Sequence, residues 1–149
     1  MTAPTHTAAA KPAPKKIPRP LPRPNLYMNT GPFWEACQQR KLVIQRCPRT
    51  GKFQFFPRPG SVFTGHRDTV WTEVSGNGVV YSWTLTNSAW PGHEDRVPYI
   101  CAYVELPEGV RLLCNIFSCK PEDMRIGMPV KLYWEELEDG TLYPAFQPA

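Results

Sequence analysis

The chain has 149 residues, 42% hydrophobic and 12% aromatic, a size that suits one modest core with a small appended unit better than a large enzyme scaffold. Formal net charge is +4, but residues 1–24 hold five basic side chains (Lys11, Lys15, Lys16, Arg19, Arg23) and no acidic one, so residues 25–149, with 12 basic and 13 acidic, sum to −1. A near-neutral fold disfavours nucleic acid, because phosphate contacts draw basic residues onto the folded surface.

Residues 1–28 read as a Pro/Lys-rich tail. Seven of the 18 prolines fall within residues 1–24, and a chain so short of backbone donors is expected to be disordered or extended polyproline II. Residues 29–41 read as a helical arm. Thr30, Gly31 and Pro32 carry start signals, and Phe33, Ala36 and Cys37 share one face, while Glu35, Gln38 and Gln39 can face water. Residues 42–69 read as a small subdomain of two short strands, Leu42 to Arg46 and Lys52 to Phe56. Between them lies the turn Cys47-Pro48-Arg49-Thr50-Gly51, and residues 61–69 follow as irregular loop.

From residue 70 to 149 the pattern is nearly all β. Ser75-Gly76-Asn77-Gly78 is a strong turn. After it Val79, Tyr81, Trp83 and Leu85 alternate with Val80, Ser82, Thr84 and Thr86. A loop with Trp90 and His93 follows. Hairpins are expected around Pro107-Glu108-Gly109 and Glu138-Asp139-Gly140, with a short helical turn near Pro121. Strands without a βαβ crossover indicate a small antiparallel barrel, OB-like in preference to an SH3-like barrel or a small sandwich.

Five cysteines (Cys37, Cys47, Cys101, Cys114, Cys119) form no C-x-x-C pair. The N-terminus lacks the apolar run of a secretory signal, and no apolar stretch is long enough to span a membrane. A cytoplasmic protein with reduced thiols is the reading, with Cys101 and Cys114 as buried small hydrophobes. No catalytic constellation stands out. His66 and His93 each neighbour a carboxylate, as surface histidines commonly do, and Glu35, Glu135 and Glu136 read as solvated charges. Cys47, flanked by Arg46 and Arg49, has the setting of a thiolate. Lys52, Arg58 and the aromatics around them, Phe55 included, form a candidate ligand-binding face. Aromatic rings stack adenine and cations pair with phosphate, as coenzyme A or a nucleic acid requires.

Six segments, GPFWEA (31–36), KLVIQRC (41–47), QFFPRP (54–59), WTEVSGNGVVYSWT (71–84), VPYICAYVEL (97–106) and CKPEDMRIGMPVKLYWEE (119–136), together resemble the zinc-ribbon OB-fold proteins of bacteria and archaea, an acyl-CoA-associated family. The resemblance covers residues 29–148. It implies a mainly β protein with an N-terminal helical arm, a rubredoxin-like ribbon and a C-terminal OB-fold barrel. The family ribbon carries two C-x-x-C knuckles that hold one structural zinc. On this sequence the four ligand positions fall on Cys47, Thr50, Ser61 and Thr64. Only Cys47 keeps a thiol, so zinc is not expected, and Phe53, Phe55, Phe56, Phe63 and Trp71 are expected to pack the ribbon instead. The resemblance also implies a non-catalytic accessory subunit beside a thiolase-like or MaoC-like hydratase partner acting on acyl-CoA. A single-stranded nucleic-acid-binding OB module is the alternative.

Overall fold

The computed structural model describes residue 26 and residues 29–89, 94–137 and 139–149. The tail and the 90–93 loop, with His93, lie outside the described residues, apart from Leu26. Helix α1 spans Gly31–Gln38, with Pro32 in the first turn, where no intrahelical donor is needed. It ends in a left-handed Arg40 (φ 57°), with Arg40 N–H bonded to Cys37 O at 2.9 Å and Lys41 N–H to Ala36 O at 3.0 Å. This paired closure usually recruits glycine at the left-handed position. Phe33 and Cys37 are buried as the periodicity predicts. Gln38, expected to face water, instead clamps the helix to the barrel. Its amide nitrogen donates to Leu142 O at 3.3 Å, and its amide oxygen accepts from Leu142 N at 3.1 Å.

Three short strands, β1 (Val43–Arg46), β2 (Phe53–Gln54) and β3 (Val70–Glu73), make an antiparallel sheet in the order β2-β1-β3. Five more close a barrel: β4 (Asn77–Thr86), β5 (Tyr99–Glu105), β6 (Arg111–Ile116), β7 (Pro129–Glu136) and β8 (Leu142–Pro148), in the order β4-β5-β6-β8-β7. The β4–β7 pairing of Asn77 with Lys131 closes the ring, and β6 meets β8 in parallel at Ile116–Phe146. A five-stranded Greek-key barrel of this order is the OB-fold. Closure removes the free edges that strands this apolar would otherwise expose.

One residue breaks the expected alternation. The β4–β5 register shifts between Val80 and Ser82, so Tyr81 is the extra residue of a bulge. Before it Val80 points inward and Val79 outward; after it Trp83 and Leu85 pack on the core. A bulge inverts the phase of a strand, which is why Val79 and Tyr81 do not share the face of Trp83 and Leu85. Gly78 is required by close approach, since a Cβ there would lie 2.6 Å from Val104 Cγ1 and 2.7 Å from Glu105 O.

A single apolar core runs from α1 (Phe33, Cys37), Leu42 and β1 (Ile44) into the barrel (Val80, Val104, Val130, Phe146). Each such buried side chain contributes about 1.5–3 kcal/mol. The helix ties the two sheets together with aromatic contacts on either side. Phe33 lies 5.7 Å from the Phe55 ring of the ribbon, and Trp34 lies 5.2 Å from Tyr143 on β8. Cys114 is buried as expected, but Cys101 stands half-exposed on the outer wall.

Candidate functional site

The two loops of the ribbon have the same backbone. In the first, Gly51 N–H donates to Cys47 O and Cys47 N–H to Lys52 O, both at 2.8 Å. In the second, Gly65 N–H donates to Ser61 O and Ser61 N–H to His66 O, again both at 2.8 Å. Gly51 (φ 72°) and Gly65 (φ 74°) take the same left-handed conformation. The segment expected to be irregular loop is therefore a second copy of the first turn. These matched loops bring Cys47, Thr50, Ser61 and Thr64 together. Cys47 Sγ lies 3.9 Å from Thr64 Oγ1, and the side chains of Ser61 and Thr50 are the neighbours that favour its charged form through side-chain bonds.

Those bonds, from Ser61 first and then Thr50, outweigh burial and lower the Cys47 thiol from 9.0 to about 6. The expected cause was the adjacent guanidiniums, but both are engaged elsewhere. Arg46 donates to Gly51 O at 3.2 Å and lies 5.9 Å from the Phe53 ring centroid, while Arg49 pairs with Asp68 at 2.7 Å. That pairing holds the Asp68 carboxyl below its ordinary range. Cys37 and Cys114, with no such donors, are pushed up to about 12 by burial.

The interior of the ribbon is polar, where an aromatic cluster was expected. Phe53, Phe55 and Trp71 do pack against the core, but Phe56 is 60% exposed and Phe63 41%. The centre belongs to Gln45 and Gln54, both buried. The Gln45 amide donates to Arg58 O at 2.9 Å and accepts from Arg58 N at 2.8 Å and from Gln54 Nε2 at 2.9 Å. Gln54 also donates to Gly60 O at 3.0 Å and accepts from Val62 N at 2.8 Å. Two strand glutamines thus hold the Arg58–Val62 backbone that positions the second loop. Sequence reasoning missed them; the available signal was glutamine at inward positions of otherwise apolar strands.

The predicted ligand face is distributed over three neighbourhoods. Lys52 Nζ sits 5.5 Å from the Phe63 ring centroid, Phe55 stacks with Phe33 and Phe56, and Arg58 is exposed with its backbone tied to Gln45. Charge, however, is strongly divided. Residues 42–69 carry five basic side chains and one acidic, whereas residues 70–149 carry five basic and eleven acidic. The near-neutral sum over residues 25–149 conceals a basic ribbon on an acidic barrel. The ribbon's single carboxylate, Asp68, is taken by Arg49, so Arg46, Lys52, Arg58 and Arg67 have no acidic partner within it. An open cleft of about 980 Å³ on the barrel, whose lining includes Cys119, Lys120, Asp123 and Arg125, carries both signs and favours neither.

A helical arm, a ribbon of two matched knuckles and a five-stranded OB barrel define a ribbon–OB protein. The chain belongs to the DUF35 family. Residues 34–60 match the rubredoxin-like zinc ribbon domain of ChsH2, and residues 71–135 its C-terminal OB-fold domain. It is 35% identical to a DUF35 domain-containing scaffold protein of Methanocaldococcus jannaschii, over 72% of this chain and 78% of that one. It is 38% identical to a probable enoyl-CoA hydratase alpha subunit of Thermomonospora curvata, over 86% of this chain but only 40% of that protein, so the chain spans about two-fifths of that relative's length. Among solved structures it resembles a chain of the Ltp2-ChsH2(DUF35) aldolase, with TM-score 0.77 and 37% identity over 85% of this chain and 98% of that chain.

The family ribbon implies zinc, and the donor set here does not fit it. Zinc ribbons use four thiolate or imidazole donors. The matched knuckles present one thiol and three neutral hydroxyls, and His66 meets Ser61 through its backbone oxygen. Among the described residues no group of three or more His, Cys, Asp or Glu is placed to hold a metal ion, and no helix is long and apolar enough to cross a membrane.

Proposed function

We propose that this chain is a non-catalytic accessory subunit that joins a thiolase-like or MaoC-like hydratase enzyme acting on acyl-CoA. The observation that carries the reading is the match to a chain of the Ltp2-ChsH2(DUF35) aldolase, at 37% identity and TM-score 0.77 over 98% of that chain. The name of the Methanocaldococcus relative, a scaffold protein, supports the same role. The divided charge supports the ribbon as the face that meets the partner, with Lys52, Phe55 and Arg58 toward its acyl-CoA entrance, where cations would meet the coenzyme's phosphates. The acidic barrel opposes the alternative, since phosphate backbones are repelled by the face an OB module would offer them. Free thiols at all five cysteines support a reducing compartment, the cytoplasm.

Mixing the purified chain with the partner enzyme tests this. A stable complex is expected by size exclusion at low salt. Arg46→Glu, Lys52→Glu and Arg58→Glu together are expected to weaken it at least tenfold while the barrel's far-ultraviolet spectrum stays unchanged. Equal affinity of the triple variant would remove the ribbon from the interface, and retention of an oligonucleotide by the wild-type chain in place of an enzyme would favour the nucleic-acid reading.

A further inference from the structure

We propose that a thiol–hydroxyl cluster of Cys47, Thr50, Ser61 and Thr64 closes the ribbon in the place a metal would take, so that this ribbon folds without zinc. The geometry is specific. Both knuckle backbones are intact, which shows that losing three thiols has not opened the loops. Each hydroxyl accepts a backbone N–H two residues on: Lys52 N to Thr50 Oγ1 at 3.4 Å, Phe63 N to Ser61 Oγ at 3.2 Å, and His66 N to Thr64 Oγ1 at 3.4 Å. A hydroxyl that accepts one such bond still has its own proton to donate. The Cys47 sulfur, which has no exposed surface, lies 3.9 Å from Thr64 Oγ1 of the other knuckle, a contact in which either group can donate, and Ser61 and Thr50 are the neighbours that lower its pKa. The cluster thus gathers hydroxyls of both knuckles about one buried sulfur and links the first knuckle to the second through the Cys47–Thr64 contact, where a metal would otherwise join them.

Chemistry and packing agree on this. Neutral alcohols bind zinc weakly, whereas a buried sulfur surrounded by hydroxyl donors is satisfied without an ion. The Gln45–Gln54 network supplies a second, independent tether between the strands and the second knuckle. Together these take over the stapling that a subdomain too small for its own core otherwise obtains from metal. The inference stands apart from the accessory role; either can fail without the other.

The test uses the full chain produced in zinc-supplemented medium. Elemental analysis is expected to find no stoichiometric zinc, and amide exchange across residues 47–66 is expected to be equally slow with and without a strong chelator. Thr50→Val, Ser61→Ala and Thr64→Val together are expected to speed exchange in residues 47–66 at least tenfold while β4–β8 keep their protection. Cys47→Ser, which keeps a small polar group at the hub, is expected to have a smaller effect. Zinc near one per chain, loss of ribbon protection with chelator, or unchanged ribbon exchange in the triple variant would each overturn the proposal.

Discussion

Thr50→Cys, Ser61→Cys and Thr64→Cys introduced together are expected to convert the ribbon into a zinc site with one ion per chain. The expectation rests on the two knuckles, whose matched hydrogen bonds and left-handed glycines already place the four side chains around a common point. The backbone N–H groups now bonded to Thr50, Ser61 and Thr64 would turn to the new thiolates, as donors that favour the charged sulfur. Structural zinc binds with about 10–16 kcal/mol of apparent free energy, more than any packing change in a domain of this size. Cobalt substitution should give the absorption of a tetrahedral thiolate site, and chelator should return the ribbon to a looser state than wild type. A triple variant that folds but binds no zinc would mean that the knuckles are not preformed.

The second large effect is expected at Gln54. Gln54→Leu keeps a side chain of similar size but leaves Val62 N–H and Gly60 C=O without partners and removes a donor from Gln45 Oε1. Each buried group stranded in this way costs about 1–3 kcal/mol, so a loss of about 2–5 kcal/mol is expected. It should appear in residues 53–66 by hydrogen exchange before the barrel responds. Denaturant unfolding followed at both units would check it, and a loss below about 0.5 kcal/mol, the range of ordinary surface substitutions, would show that water replaces the amide.

The barrel was legible because its strands are punctuated by turns of distinct chemistry, such as Ser75-Gly76-Asn77-Gly78 and Pro107-Glu108-Gly109, and because closure is the common solution for strands this apolar. The bulge at Tyr81 was not, since an extra residue in a run of alternating side chains leaves no mark in composition. Gln38 was misread, and Gln45 and Gln54 were missed, for one reason. A glutamine placed by periodicity alone looks solvated, and only the third dimension shows the backbone groups it satisfies. The ribbon's basic charge was present in the sequence but was lost when residues 25–149 were summed as one unit. The positions of Thr50, Ser61 and Thr64 followed from the family resemblance, while their hydrogen bonds to the residue two ahead are the ordinary habit of Ser and Thr in turns.

The opposed charges of ribbon and barrel matter for how such a subunit works. In the proposed role, a basic face would steer encounter with an anionic surface, while the acidic barrel would keep the remaining surface from competing for it. Affinity would then come from the exposed apolar side chains of the ribbon, Phe56, Val62 and Phe63, that such steering brings into contact.

The most direct measurement is acyl-CoA turnover by the partner enzyme, purified alone and then supplied with one equivalent of this chain. The proposed accessory role predicts no turnover by the chain alone and a partner whose rate or solubility depends on its addition. A partner that is fully active and soluble without it, or acyl-CoA turnover by the isolated chain, would contradict that role.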